Sequence, residues 1–244
     1  MRLNRVFTDQ PLVVGAETTL PEAAGGHVAR VLRLKAGAPL KLFDGSGADF
    51  AAEIVAVDGD RVRVRVGERS AGLRESPLAI TLVQAVSRGE RMDWTLQKAT
   101  ELGVRRIQPV LSARSVVRLD EHQAAKKLRH WQAVVAAACE QCGRSVLPEV
   151  RPPLDLPRHL AEAPREGQRL VLSPSGPASL AGLASTTARV ELLIGPEGGL
   201  DDAELGAAIG AGYSPVRLGP RVLRTETAGI VALAVLQALW GDLQ

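Results

Sequence analysis

The hydrophobic period of this chain changes near Glu75-Ser76-Pro77, and that change constrains the fold more than any other feature. Before it, apolar and polar residues alternate with period two, as in DFAAEIVAVDGDRVRVRVGE. Successive side chains of a strand point to opposite faces, so this stretch reads as two strands joined at Asp58-Gly59. Asp44-Gly45 marks another turn, and one short helix interrupts the pattern around His27–Arg33. The expectation is a compact β domain, a small barrel. After Pro77 the texture becomes strand, helix, strand, helix. LAITLVQAV is an apolar run, and Ser87 with Glu90 has the spacing of a capping box opening a helix through about Leu102. Gly103 stops that helix and RRIQPV returns to strand. Residues 121–142 predict a long helix. RLVLS, VELLI and VRLG read as buried strands, Asp201 with Glu204 repeats the capping-box spacing, and Thr225–Trp240 is an apolar helix with Thr225 as candidate N-cap. Such alternation predicts an α/β domain with a largely parallel sheet.

A length of 244 residues admits two domains. We divide the chain into residues 1–72, a β domain, and 73–244, an α/β domain, with Glu68–Pro77 as linker. Hydrophobic residues at 45% and charged residues at 23% exclude disorder as the general state. The polar start MRLNRVFTDQ has no apolar signal region, and no apolar run is long enough to span a bilayer, so neither secretion nor membrane insertion is expected. Cys139 and Cys142 are too few for a disulfide framework, which points to a reduced, cytoplasmic protein. The net charge of +3 is uneven. Residues 1–76 carry 11 Lys and Arg against 10 Asp and Glu, residues 77–153 carry 12 against 7, and residues 154–244 carry 7 against 10. A basic middle segment suits a polyanion, although charged helical faces also arise merely from contact with water.

Two loops have the composition of ligand sites, each after a buried strand and before a helix. Gly195-Pro196-Glu197-Gly198-Gly199 lets the backbone approach a ligand closely, or is simply a tight turn. Leu218-Gly219-Pro220-Arg221-Val222-Leu223-Arg224-Thr225-Glu226 joins a rigid turn to two arginines. These meet phosphate, or Arg224 pairs with Glu226. Open α/β sheets bind ligands at the carboxyl edge, so two such loops on one edge favour a pocket over two separate turns. Ala138-Cys139-Glu140-Gln141-Cys142-Gly143-Arg144 contains C-x-x-C, but it closes a helix, and zinc needs about four ligands that the chain does not supply. Dinucleotide, P-loop, zincin and serine-hydrolase motifs are missing. The histidines (His27, His122, His130, His159) are scattered, so no metal is expected. Aromatic residues at 3% argue against a stacking platform for single-stranded RNA.

The segments ESPLAITLVQAVSRGERMDWTLQKATELGV, ACEQCGR, LLIGPEGGL and LGPRVLRTETA together resemble the bacterial 16S ribosomal RNA uridine-N3 methyltransferases, the RsmE family. HVARVLRLKAGAPLKLFDGSG resembles that family's PUA-like domain. The likeness runs through nearly the whole chain with its motifs in order, and is less distinct over residues 154–190. It implies an α/β fold with a SPOUT-type, trefoil-knotted methyltransferase domain preceded by a small PUA-like β-barrel domain. It also implies a homodimer that binds S-adenosylmethionine in a bent form and makes 3-methyluridine in 16S rRNA, within the small ribosomal subunit.

Carried onto the matching motifs, the cofactor is expected against Leu172, Ile194, Gly195, Pro196, Gly198, Leu218, Gly219, Val222 and Leu223. Arg221 and Arg224 are expected to stabilise the uracil anion or grip its phosphate, with Glu226 and Glu140 as candidate bases. Arg5, Arg30, Arg33 and Lys35, then Arg88, Arg91 and Arg144, are candidates for RNA contact, against the alternative of solvated charges. Two other functions remain open from sequence. One is a methyltransferase of the same class acting on another rRNA or tRNA base, and the other is a non-catalytic ribosome assembly factor.

Overall fold

The computed structural model describes residues 3–162, 166–184 and 187–243. Two compact units are formed, one from the residues up to Glu75 with Ala136–Leu147, the other from Ser76–Val135 with Pro148 onward.

The first unit is a five-stranded sheet. Its strands are β1 (Arg5–Phe7), β2 (Glu17–Thr19), β3 (Pro39–Phe43), β4 (Ala48–Asp58) and β5 (Arg61–Ala71), in spatial order β1-β3-β4-β5-β2. Only β1 and β3 run parallel; the other pairs are antiparallel. The alternation in Arg61–Val66 places Val62, Val64 and Val66 inside and Arg61, Arg63 and Arg65 outside, as a period of two requires. The β4–β5 turn comprises Gly59 and Asp60, with Gly59 at φ +56°, a conformation that favours glycine. Strand β5 continues through Glu68–Ala71, so the first four residues of the expected linker are strand. The short helix also starts earlier than expected. It comprises α1 (Glu22–Gly26) and a π-helical turn His27–Val31, closed where the Leu32 N–H reaches the His27 carbonyl. Arg33 then takes φ +54° to leave the turn.

The second unit is a parallel α/β sheet. Its elements are β6 (Ala79–Ala85), α2 (Glu90–Glu101), β7 (Arg106–Leu111), the part of α3 (Glu121–Cys142) up to Val135, β8 (Glu149–Val150), β9 (Leu154–Asp155), α4 (Leu156–Glu162), β10 (Gln168–Leu172), β11 (Ala178–Ser179), β12 (Arg189–Ile194), α5 (Asp202–Gly210), β13 (Ser214–Arg217) and α6 (Thr225–Trp240); the end of α3 from Ala136 belongs to the first unit. Strand order is β11-β13-β10-β12-β6-β7-β8, with β9 beside β7. Alternate strand residues feed two cores. Ile80, Leu82, Leu192 and Ile194 cluster with Leu96 of α2, Trp131 of α3 and Leu233 and Leu236 of α6. Val83, Val171 and Leu193 cluster with Leu156 and Leu160 of α4 and Ala208 of α5. A sheet buried on both faces explains why its strands read as continuous apolar runs.

Asp201 forms the expected capping box: its Oδ1 accepts from the Glu204 N–H at 2.7 Å, and Glu204 Oε2 accepts from the Asp201 N–H at 3.2 Å. Ser87 does not cap α2. The N-cap is Gly89 at φ +54°, and the Ser87 hydroxyl is buried without a partner.

Candidate active site

Three neighbouring parallel strands, β13, β10 and β12, end at one edge of the second sheet. Leu172 pairs in register with Val216, and Ile194 lies one step beyond the paired Val171 and Leu193. These three residues line a cavity of about 190 Å³ whose other walls are the two glycine-bearing loops, Ser173-Pro174 after β10, Leu205 of α5 and the first turn of α6. The edge is where open α/β sheets place their ligands, because the strands stop there and the following loops splay apart.

The loop after β12 is held from outside the cavity. The Gly199 N–H closes a turn on the Pro196 carbonyl at 2.9 Å. Arg114 donates to the Gly198 carbonyl at 3.0 Å, and Arg91 pairs with Glu197 at 3.1 Å. A Cβ on Gly195 would lie 3.0 Å from the Leu200 nitrogen and 3.1 Å from its Cγ, so the loop can turn this tightly only at glycine. Thr225, the first residue of α6 rather than its cap, ties the two loops together. Its hydroxyl donates to the Gly195 carbonyl at 2.6 Å and accepts from the Gln84 amide at 3.1 Å. In the second loop Gly219 has φ +73° and open space where a Cβ would point.

Of the expected cofactor residues, Leu172, Ile194, Gly195, Pro196, Leu218, Gly219, Val222 and Leu223 all line this cavity. Gly198 does not; it faces Arg114. The cavity also takes in Ser173, Glu197, Leu205, Val216, Thr225 and Ala228, which sequence reasoning passed over. Leu205 was within reach, since the capping box fixes where α5 begins.

The charged candidates separate. Arg221 lines the cavity, exposed and without an ion pair among the described residues. Arg224 is the exposed N-cap residue of α6, and its pairing with Glu226 is not formed. Glu226, in the first turn of α6, has a buried Oε2 with no partner. Glu140 accepts the Phe7 N–H at 2.9 Å within the first unit, and burial pushes its carboxyl upward.

Two of the RNA candidates are internal. Arg5 meets Asp49 at 2.6 Å, the Arg144 carbonyl at 3.0 Å and the Ser145 hydroxyl at 3.1 Å, with its head over the Phe43 ring. Arg144 is buried against Glu75, at 2.5 Å. Buried guanidinium–carboxylate pairs leave no head for phosphate, so neither residue is a surface contact. Arg30 is exposed but paired with Asp60 at 2.5 Å. Arg33, Lys35 and Arg88 are exposed without ion pairs among the described residues. Cys139 and Cys142 are free, and burial pushes the Cys139 thiol up to about 12, far from a reactive thiolate. No group of metal-ligating side chains exists among the described residues.

An aromatic base, a polar ribose, a sulfonium and a zwitterionic end make up S-adenosylmethionine. The apolar floor of Leu172, Ile194 and Val216, the adjoining loop backbone and the guanidinium of Arg221, unpaired among the described residues, match that donor set.

Comparison with known proteins agrees. The RNA methyltransferase domain family matches residues 74–237, and the RNA methyltransferase PUA domain family matches residues 20–67. A Legionella pneumophila protein solved with the bound cofactor SAM superposes with a TM-score of 0.96, at 43% identity over 100% of both chains. A ribosomal RNA small subunit methyltransferase E from Neisseria gonorrhoeae, bound to S-adenosyl methionine, gives 0.95 and 40%, again over 100% of both. The protein of that name from Buchnera aphidicola of Schizaphis graminum is 33% identical across 99% of this chain and 98% of its own. With its cavity and its two domains both accounted for, the chain belongs to the RNA methyltransferase family of the small subunit methyltransferase E type.

Proposed function

We propose that this protein transfers a methyl group from S-adenosylmethionine to N3 of a uridine in 16S rRNA within the small ribosomal subunit. The observation that carries the reading is the cavity at the carboxyl ends of β13, β10 and β12, in a chain 40% identical along its full length to a methyltransferase solved with that donor. The cofactor, when bound, supplies an electrophilic methyl group. The chain supplies the rest. Leu172, Ile194, Gly195, Pro196, Leu218, Gly219, Val222 and Leu223 enclose the donor and exclude water. Thr225 and Gln84 fix the spacing of the loops, so the reactants meet in line.

Uridine N3 becomes a good nucleophile once its proton leaves. Arg221 stabilises the imide anion that forms, and Arg224 grips the strand beside it. Glu226, with its unpartnered carboxylate oxygen, accepts the proton. Residues 1–72, through Arg30, Arg33 and Lys35, together with Arg88 and Arg91, dock the RNA. Residues 73–244 carry the reaction within a trefoil-knotted chain. A homodimer belongs to the proposal: α6 is apolar nearly all round, and Val231 and Leu239 remain exposed on it. The protein acts in the cytoplasm, consistent with the finding that no described helix is long and apolar enough to cross a membrane.

The test is transfer of labelled methyl to small subunits from cells that lack this enzyme, followed by mass analysis of the digested nucleosides. Label in 3-methyluridine at one position is expected. Label in another nucleoside would overturn the substrate, and no label despite binding of both reactants would favour an assembly factor.

A further inference from the structure

A second cavity, of about 390 Å³, adjoins the first on the other side of the end of β13. Val216 lines the cofactor cavity, and the next residue, Arg217, lines this one, because successive strand residues point to opposite faces. Pro174, Gly219, Arg221 and Val222 border both, so the loop after β13 is their common wall.

The chemistry of the lining is one-sided. Arg217 donates to the carbonyls of Gly176 at 2.9 Å and Pro177 at 2.5 Å. Both partners are neutral, so its charge is held in place but not cancelled. Arg221 has no partner among the described residues, and no carboxylate lines the cavity. Ser179 stands opposite Arg217 in the β11–β13 register and adds a hydroxyl on the same side. Val222, 81% exposed, offers an apolar edge between the two cavities. Two uncompensated guanidiniums and a hydroxyl select an anion, and paired arginines suit phosphate in particular.

We propose that this cavity is a phosphate subsite that takes a phosphodiester of the RNA strand beside the target uridine and so holds the base toward the methyl donor. The inference rests on the reading of the protein as an RNA methyltransferase. It gives Arg217 and Ser179 a role outside the cofactor site, and Arg221 a place at the junction of the two.

The test uses the full-length protein and small ribosomal subunits that lack the modification. Arg217→Gln and Ser179→Asp are compared with the wild type in direct binding across a salt series, in KM for subunits, and in affinity for S-adenosylmethionine. Ser179 is exposed, so its aspartate variant keeps the test open if Arg217→Gln folds poorly. Both variants should bind subunits about tenfold more weakly. Arg217→Gln should lower the slope of log affinity against log salt by about one, and Arg217→Lys should restore part of the loss. Donor affinity should not move. Wild-type subunit binding and salt slope in both variants would overturn the proposal. So would an effect confined to inhibition by inorganic phosphate, since that marks a site for the free ion. If the wild type transfers no methyl while the binding losses persist, the methyltransferase reading falls and the phosphate subsite stands.

Discussion

Glu191 occupies the third position of β12, on the sheet face where its neighbours Val190 and Leu192 do not point. Arg169 meets its carboxylate at 2.7 Å, the Tyr213 hydroxyl donates to it, and His159 lies 3.6 Å away. Burial alone would raise this carboxyl, but the nearby His159 ring and the hydrogen bonds from Tyr213 and Arg169 outweigh it and hold the group at about 2 against an ordinary 4.5. The folded value is depressed, so the stabilisation is fully present above about pH 4.5 and is lost as pH falls toward 2. Urea unfolding midpoints of the wild type should therefore drop steeply between pH 5 and pH 2. Glu191→Gln should be less stable at pH 7, because it leaves Arg169 buried without a counter-charge, and should show a flatter acid limb. Parallel acid limbs would show that the pair contributes nothing to pH dependence. No spacing rule could have found this cluster, since Arg169 and Tyr213 each lie 22 residues from Glu191. The same limit hid Thr225 as the tie between the loops: its partner Gly195 is 30 residues away.

The elements were legible where a local signal decides them. The Asp201–Glu204 box was readable because both of its hydrogen bonds fall within three residues. Asp201→Ala should cost about 1 kcal/mol and lower the melting temperature by roughly 2–4 °C, measured by thermal unfolding. An unchanged melting temperature would mean that the start of α5 does not depend on the cap. Glu204 also accepts the Ala113 N–H at 2.7 Å, so the helix start anchors the loop after β7 as well. The identical spacing at Ser87 misleads because the chain makes a positive-φ turn at Gly89 before the helix begins, which leaves Ser87 buried behind the cap. In the first unit, period two located β4 and β5, and β5 outran the expected linker because the alternation weakens over Glu68–Ala71 while the pairing with β4 continues.

Across the whole molecule, the change of period near Pro77 revealed an α/β sheet following a β sheet, yet neither strand order nor the companions of Arg5 could be read. Arg5 bonds to Ser145, 140 residues away, and Ala136–Leu147 groups with the N-terminal strands. Basic residues were therefore visible as types, while their burial was not. The glycine loops fared better. Backbone freedom at Gly195 and Gly219 is a property of the residue itself, and the carboxyl edge of a parallel sheet gathers such loops. This edge is where we propose that the methyl donor binds. The most direct check is titration calorimetry of S-adenosylmethionine into the wild type and into Gly219→Val, with melting curves as the control for folding. Valine at φ +73° imposes about 1–3 kcal/mol of backbone strain, relieved by moving the loop out of its cavity geometry. Saturable binding by the wild type is expected, and at least roughly tenfold weaker binding by a variant that melts within a few degrees of it. A wild type that does not bind the donor, or a Gly219→Val protein that binds it equally well, would contradict that placement.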